Sequence, residues 1–342
     1  MKAWKVLGKD EIVLEEMKPR VLLEGQVKVK LNYSLITHSD ILIFEGATNE
    51  YPKIIGRLGV GIISEAHESV SNFSRGERVL ISPYFICKEC FECENGEEHL
   101  CVNMKVLSEN IDGALSDFVN ISERQLIRLP DNISDCDAIF IEYVAHALNV
   151  FARLKVKRGE HIVIVGANCE GILCAQLALY YQAVPILIDP RAERLKKASE
   201  NGVYYAINSV EDDVSAKIMK ATGGRMAEKA IITSYNDAHS LRTLKFVQSY
   251  GKCAFGSLSK SEKDKGASLT ASNFNIIVEK ALSVYGVPDG FRCLVSAINL
   301  LANKSVNVKG LIQKEVCFAE TDKAIMDLKK TQDRYIGAIV KY

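Results

Sequence analysis

Four cysteines, Cys87, Cys90, Cys93 and Cys101, stand as C-x2-C-x2-C-x7-C in a segment that also holds Lys88 and five glutamates. Four thiolates so spaced can close tetrahedrally on one Zn²⁺ and leave no position open for water or substrate, which makes a structural site. An iron–sulfur cluster uses similarly spaced runs, and a third reading is a string of core thiols. The surrounding charge argues against core thiols, while spacing and ligand softness favour zinc, one ion per chain. Cys136, Cys169, Cys174, Cys253, Cys293 and Cys317 sit in apolar contexts and read as small buried hydrophobes.

A second chemical signal is VIVGANCEG, Val163 to Gly171, with Asp189 beyond it. In a dinucleotide fingerprint the first glycine (Gly166) makes the turn and the last (Gly171) lets helix pack on sheet. The helix N-terminus takes the pyrophosphate, and the acid takes the ribose hydroxyls. The middle glycine is replaced by Asn168, a residue that tolerates positive φ. Glu170 adds an anion in the first turn, good for the helix dipole and unhelpful to a pyrophosphate. Asp189 repels a 2′-phosphate and so favours NAD(H), whereas Arg191 and Arg194 just behind it keep NADP(H) open. The competing reading is a doubly wound domain that has lost its nucleotide.

These residues need elements to hold them. Ile12 to Leu14, Val27 to Leu31, Val60 to Ser64 and Arg78 to Ser82 are short β-rich runs between turns, a compact β domain. From about Arg158 the pattern becomes strand, helix, strand. His161 to Val165 is followed by a helix through Tyr181, then Val184 to Ile188, Ala230 to Ile232, a helix over His239 to Gln248, and strands at Lys252 to Phe255 and near Leu282 to Tyr285. Such alternation predicts a parallel sheet with right-handed crossovers. A helix around Phe291 to Ala302, a strand near Val306 to Leu311 and a last strand at Gly337 to Lys341 complete the chain.

The 342 residues are 48% hydrophobic, enough for two cores. Forty-three basic against forty-three acidic side chains give formal net charge zero, which excludes a general pull toward nucleic acid or anionic membrane. In the cysteine lobe glutamate outnumbers lysine, so phosphates would be repelled there. No apolar run reaches membrane-span length and the start lacks a signal-peptide core, so a cytoplasmic protein is expected.

Together these features resemble the medium-chain dehydrogenase/reductase family, in its zinc alcohol dehydrogenase and sorbitol/threonine dehydrogenase-like branch. The resemblance rests on Val70 to Val79, the cysteine lobe, IEYVAHAL around Glu142, Val163 to Gly171, and Asp189 with Arg194. It implies an α/β protein with a GroES-like catalytic domain over residues 1–146 carrying the zinc lobe (87–101). A Rossmann dinucleotide-binding domain follows over 147–286, and 287–342 return to the first domain. It also implies a cleft at their junction, a small-molecule substrate, and a homodimer or homotetramer.

The departures from the family fall on its catalytic zinc. The family's Cys is Thr37, its His is Arg57 and its Glu is Leu58; of that set Glu142 alone remains. One carboxylate beside a fixed cation should not hold Zn²⁺, although a rearranged site using His38 or His67 stays open. The resemblance gives His38 a cofactor-phosphate contact and Ser39 the substrate-proton relay. Arg57 has two readings: a charge that binds a substrate carboxylate or oxyanion, or a buried ion pair with Glu142 that fills the metal's space. The expected function is NAD(H)-dependent hydride transfer without a catalytic metal, to or from an activated carbonyl, alkene or iminium. The alternative is a non-catalytic dinucleotide-binding or assembly protein that kept the fold.

Overall fold

The computed structural model describes residues 1–18, 20–48, 50–234, 242–256, 271–312, 314–331 and 337–342. The chain forms two compact units, residues 1–140 with 312–342, and residues 141–311. The expected division lay at 146/147 and 286/287. The helix Leu294–Ala302 packs on Ile141–Leu154, so it belongs with the second unit.

In the first unit the strand Gln26–Ile36 is the hub. It pairs antiparallel with Leu58–Ala66, Phe118–Ser122 and the C-terminal Ala338–Lys341. Its alternating Val27, Val29 and Leu31 are buried in a core with Ile63, Val79 and Ile81, the period-2 pattern of a strand with one face inside. Beyond Leu58–Ala66 lie Arg78–Ile81 and Leu126–Arg128, and beyond Ala338–Lys341 lies Glu315–Cys317. A separate three-stranded sheet runs Glu11–Glu16, Lys2–Gly8, Lys53–Ile54. The chain's C-terminal strand thus completes a sheet begun near its N-terminus.

The second unit is a six-stranded parallel sheet in the order Tyr205–Asn208, Val184–Asp189, His161–Val165, Ala227–Ile232, Val247–Phe255, Ser283–Gly286. In order of appearance that is 3-2-1-4-5-6, the doubly wound order whose switch point lies between the first and fourth strands. Val163, Val165, Ile186, Ile188 and Ala230 are fully buried, as expected for strands covered on both faces.

Two expected elements differ. No strand forms at 306–311. Val306 and Val308 are buried there, but the backbone N–H and C=O of Asn307 bond to the side-chain amide of Gln176, at 2.6 and 2.9 Å, instead of to a strand. The helix expected over His239–Gln248 begins outside the described residues. Its described part is a 3₁₀ turn, Arg242–Phe246, and Val247 already pairs with Ala227, because the sheet claims its backbone groups. Among the described residues no helix is long and apolar enough to cross a membrane.

Candidate active site and metal centre

In the first unit, Lys88 at φ 64° reverses the chain after Cys87, and Cys90 stands at the N-cap of the one-turn helix Phe91–Glu94. The reversal and the turn bring Cys87, Cys90, Cys93 and Cys101 together, with every sulfur within 4.8 Å of the others. Cys87 Sγ lies 3.5 Å from Cys101 Sγ and 4.0 Å from Cys93 Sγ. A tetrahedron with Zn–S bonds of about 2.3 Å has edges of about 3.8 Å, so the donor set fits Zn²⁺ in both chemistry and size. Hydrogen bonding from the Glu89 N–H draws the Cys87 thiol down to about 6, while desolvation pushes that of Cys93 up to about 12. Among the described residues this is the cluster of three or more His, Cys, Asp or Glu that could hold a metal.

The same unit carries Thr37, His38, Ser39 and Arg57. The helix His38–Phe44 starts at Thr37. Asp40, fully buried, accepts from the Thr37 backbone N–H at 2.7 Å and the Thr37 hydroxyl at 2.9 Å. Its other oxygen accepts from the Gly56 N–H at 2.8 Å and from the Ser108 hydroxyl. One carboxylate therefore joins the turn bearing His38 and Ser39 to the backbone just before Arg57. Gly56 has φ 103°, and a Cβ there would meet the Leu115 nitrogen at 2.9 Å, so glycine is required.

The Arg57 side chain points to Glu109, 2.5 Å away, and to the Tyr84 hydroxyl at 3.4 Å, with the Tyr84 ring centroid 5.6 Å from the guanidinium carbon. Leu58 is wholly buried and offers no donor atom. Sequence reasoning missed Glu109 and Tyr84. Asp40 had a usable signal, a Thr followed three residues later by an acid at a helix start.

In the second unit, Gly166 ends its strand at φ 102°, and a Cβ on it would lie 2.8 Å from Thr233 Oγ1. A Cβ on Gly171 would lie 1.7 Å from the Gly166 carbonyl oxygen, so helix and turn meet with no room for a side chain. Asn168 has φ −78° and caps the helix Cys169–Tyr180, its Oδ1 accepting from the Gly171 N–H at 2.9 Å. It also donates to the Thr233 carbonyl at 2.9 Å. The expectation that this position exploits positive φ is thereby corrected: Asn168 serves as a capping side chain.

Asp189, nearly fully buried, accepts from the Ala167 N–H at 2.8 Å and from the Arg191 N–H at 2.9 Å, which pins the fingerprint turn to the end of the second strand. Arg194 lies half-buried in the following helix, Ala192–Glu200. Glu142 is buried in the first turn of Ile141–Leu154. Glu170 is buried as well, and its carboxylate faces His146, a residue the sequence reading passed over. The glycine pair, the helix start and the acid fit a dinucleotide diphosphate, with the ribose near Asp189.

A β unit bearing a four-cysteine lobe, combined with a 3-2-1-4-5-6 parallel sheet, defines a class of two-domain dehydrogenases. Residues 23–131 match the alcohol dehydrogenase GroES-like domain and residues 171–303 the zinc-binding dehydrogenase domain. An uncharacterized zinc-type alcohol dehydrogenase-like protein of Haemophilus influenzae is 30% identical over 331 residues, 96% of this chain and 94% of that protein. A sorbitol dehydrogenase of Halalkalibacterium halodurans is 30% identical over 313 residues, 89% and 88% of the two chains. Among solved structures, galactitol-1-phosphate dehydrogenase from Escherichia coli has the same fold, with TM-score 0.89 at 21% identity over 100% of both chains. So has a short chain alcohol dehydrogenase of Escherichia coli solved with NADH, with TM-score 0.88 at 23% identity over 100% and 99%. The chain belongs to the medium-chain dehydrogenase/reductase family, among its zinc-type alcohol dehydrogenases, and so to the oxidoreductases.

Proposed function

We propose that this protein is an NAD(H)-dependent oxidoreductase with one structural Zn²⁺ per chain and no catalytic zinc. Its substrate would be a small activated carbonyl, alkene or iminium. The donor set at the catalytic-metal position carries the reading. The Thr37 hydroxyl donates to Asp40, Arg57 is a fixed cation paired with Glu109, and Leu58 has no ligand atom. A Zn²⁺ site needs about three protein donors, and these residues do not supply them.

When bound, the nicotinamide supplies the hydride chemistry; the chain's own residues orient, shield and move protons. The start of the Cys169–Tyr180 helix holds the pyrophosphate, and Asp189 holds the adenosine ribose and repels a 2′-phosphate. Ser39, with His38 beside it, passes the substrate proton. An alcohol would have no metal to lower its pKa, so substrates activated by conjugation or positive charge are favoured. The reading also carries a cytoplasmic homodimer or homotetramer; none of the ten cysteines is disulfide-bonded, which agrees with a reducing compartment.

A second reading, dinucleotide binding without turnover, draws on Asn168. Its side chain already occupies the Gly171 N–H, one of the donors a pyrophosphate would use. NADH titration by fluorescence followed by assay with a panel of enals and ketones separates the two. Turnover supports the enzyme, and binding with no turnover across the panel supports the second reading. Metal analysis giving two zincs per chain would overturn the metal-free site.

A further inference from the structure

The first unit holds a cavity of about 400 Å³ that none of Thr37, His38, Ser39 and Arg57 lines. Its size is that of a small-molecule site. Ile54, Phe85, Ile111 and Phe118 give it an apolar wall. Phe85 belongs to the two-stranded ribbon Tyr84–Phe85 with Lys105–Val106, where it pairs directly with Lys105, and Lys105 lines the same cavity. This ribbon is the root of the zinc lobe, since Cys87 follows two residues after Phe85 and Lys105 comes four residues after Cys101. A molecule seated in the cavity therefore touches both chain segments that enter the lobe.

The polar groups of the lining are unevenly satisfied. Gln125, at the end of the 3₁₀ turn Glu123–Gln125, is 5% exposed, and its side-chain nitrogen is buried with no hydrogen-bond partner. A buried donor without an acceptor is destabilising, so it calls for a partner that the chain does not itself provide. The Lys105 ammonium has no partner among the described residues. The Arg20 guanidinium reaches Asp112 only at 3.9 Å, and the other oxygen of Asp112 accepts from the Ile54 N–H at 3.2 Å. Two cations and an orphaned donor thus face one carboxylate that is already engaged.

We propose that this cavity binds a small amphipathic carboxylate and that its occupancy steadies the zinc lobe. The hydrocarbon body lies against Ile54, Phe85 and Phe118, and the carboxylate turns toward Lys105 and Arg20. The last torsion of a glutamine side chain is soft, so a small turn of the Gln125 amide gives its N–H to a carboxylate oxygen. Apolar burial supplies affinity, and the charge-assisted hydrogen bonds select an anion. Because the ligand bridges the two strands at the root, binding stabilises the closed lobe by mass action. The site is independent of the dinucleotide and of the reaction proposed above.

The test is calorimetric titration of the full, zinc-loaded chain with octanoate, against octanol, which lacks the charge, and acetate, which lacks the body. Octanoate should bind at one molecule per chain, with octanol and acetate each at least about tenfold weaker. Lys105→Glu and Gln125→Leu should each weaken octanoate by about tenfold while leaving NADH affinity unchanged. Lys105 is exposed, so its variant should fold. Gln125→Leu replaces an orphaned amide by a hydrocarbon of similar size and should melt no lower than the wild type, which a glutamine serving the fold alone would not allow. Transfer of zinc to a chelator should slow severalfold under saturating octanoate in the wild type and not in Lys105→Glu.

Failure of the wild type to bind octanoate overturns the proposal. So does octanol binding as tightly as octanoate, or octanoate binding equally to both variants, since either places the ligand elsewhere or on an apolar patch without an anion seat. Octanoate that binds as expected while zinc transfer keeps its rate overturns the link to the lobe.

Discussion

Arg57 and Glu109 form an ion pair at 2.5 Å, with the Arg57 side chain 10% exposed and that of Glu109 41%. The Arg57 guanidinium thus has a counter-charge inside its own unit, on the loop after the zinc lobe, with the Tyr84 ring beside it. Asp40 fixes the neighbouring Gly56 backbone, so the chain leading into Arg57 is anchored at one end and its guanidinium at the other.

Arg57→Met should therefore lower stability. A fully buried pair broken on one side costs about 3–5 kcal/mol, but Glu109 reaches solvent, so a loss of about 1–2 kcal/mol is expected. Thermal melting of the variant checks this, together with NADH affinity, which should stay at the wild-type value. Turnover falling a hundredfold or so with an unchanged melting temperature would instead give Arg57 the oxyanion role.

The zinc lobe makes a stoichiometric prediction. Elemental analysis should return one Zn²⁺ per chain, and Cys90→Ser should lose it, since three thiolates and a hydroxyl bind far more weakly than four thiolates. The lobe should then become sensitive to protease while the dinucleotide unit keeps its NADH affinity, because the four cysteines and the Gly166–Gly171 turn belong to different compact units. Parallel loss of both properties would contradict that independence.

How far the sequence was readable depended on distance along the chain. The cysteine lobe was legible because its four ligands fall within one local segment, and the Gln26–Ile36 strand because Val27, Val29 and Leu31 alternate. The glycine fingerprint was legible for the same reason, but the role of Asn168 was misjudged: its type fits a left-handed turn and a helix cap equally well, and geometry alone separates them. Val306 and Val308 looked like a strand because burial was real; the pairing partner was a glutamine side chain far back in sequence. Glu109 and His146 were invisible as partners, since nothing local in a sequence announces a contact with Arg57 or Glu170.

The cap at Asn168 can be isolated. Asn168→Ala removes the oxygen that accepts from Gly171, whereas Asn168→Ser keeps a capping oxygen, so Ala should be less stable than Ser by about 1 kcal/mol. Both variants lose the amide that donates to the Thr233 carbonyl, so their difference reports the cap. Denaturant unfolding of the pair provides the measurement. Equal stabilities would mean that the capping bond contributes nothing.

Asp189 sets the last expectation, cofactor choice. Its two oxygens already accept from Ala167 and Arg191, which fixes the carboxylate at the end of the second strand, where an adenosine ribose lies in this fold. A 2′-phosphate placed there would meet that charge in a partly desolvated setting, so NADH should bind at least about tenfold more tightly than NADPH. Asp189→Asn removes the charge but turns one acceptor into a donor that faces a backbone N–H. The variant should thus narrow the cofactor ratio while losing about 1–3 kcal/mol of stability from the unsatisfied contact. Fluorescence titration with both cofactors, alongside a melting curve, reads the two effects separately. If wild-type protein binds NADPH as well as NADH, Arg191 and Arg194 outweigh Asp189 and the assignment to NAD(H) fails.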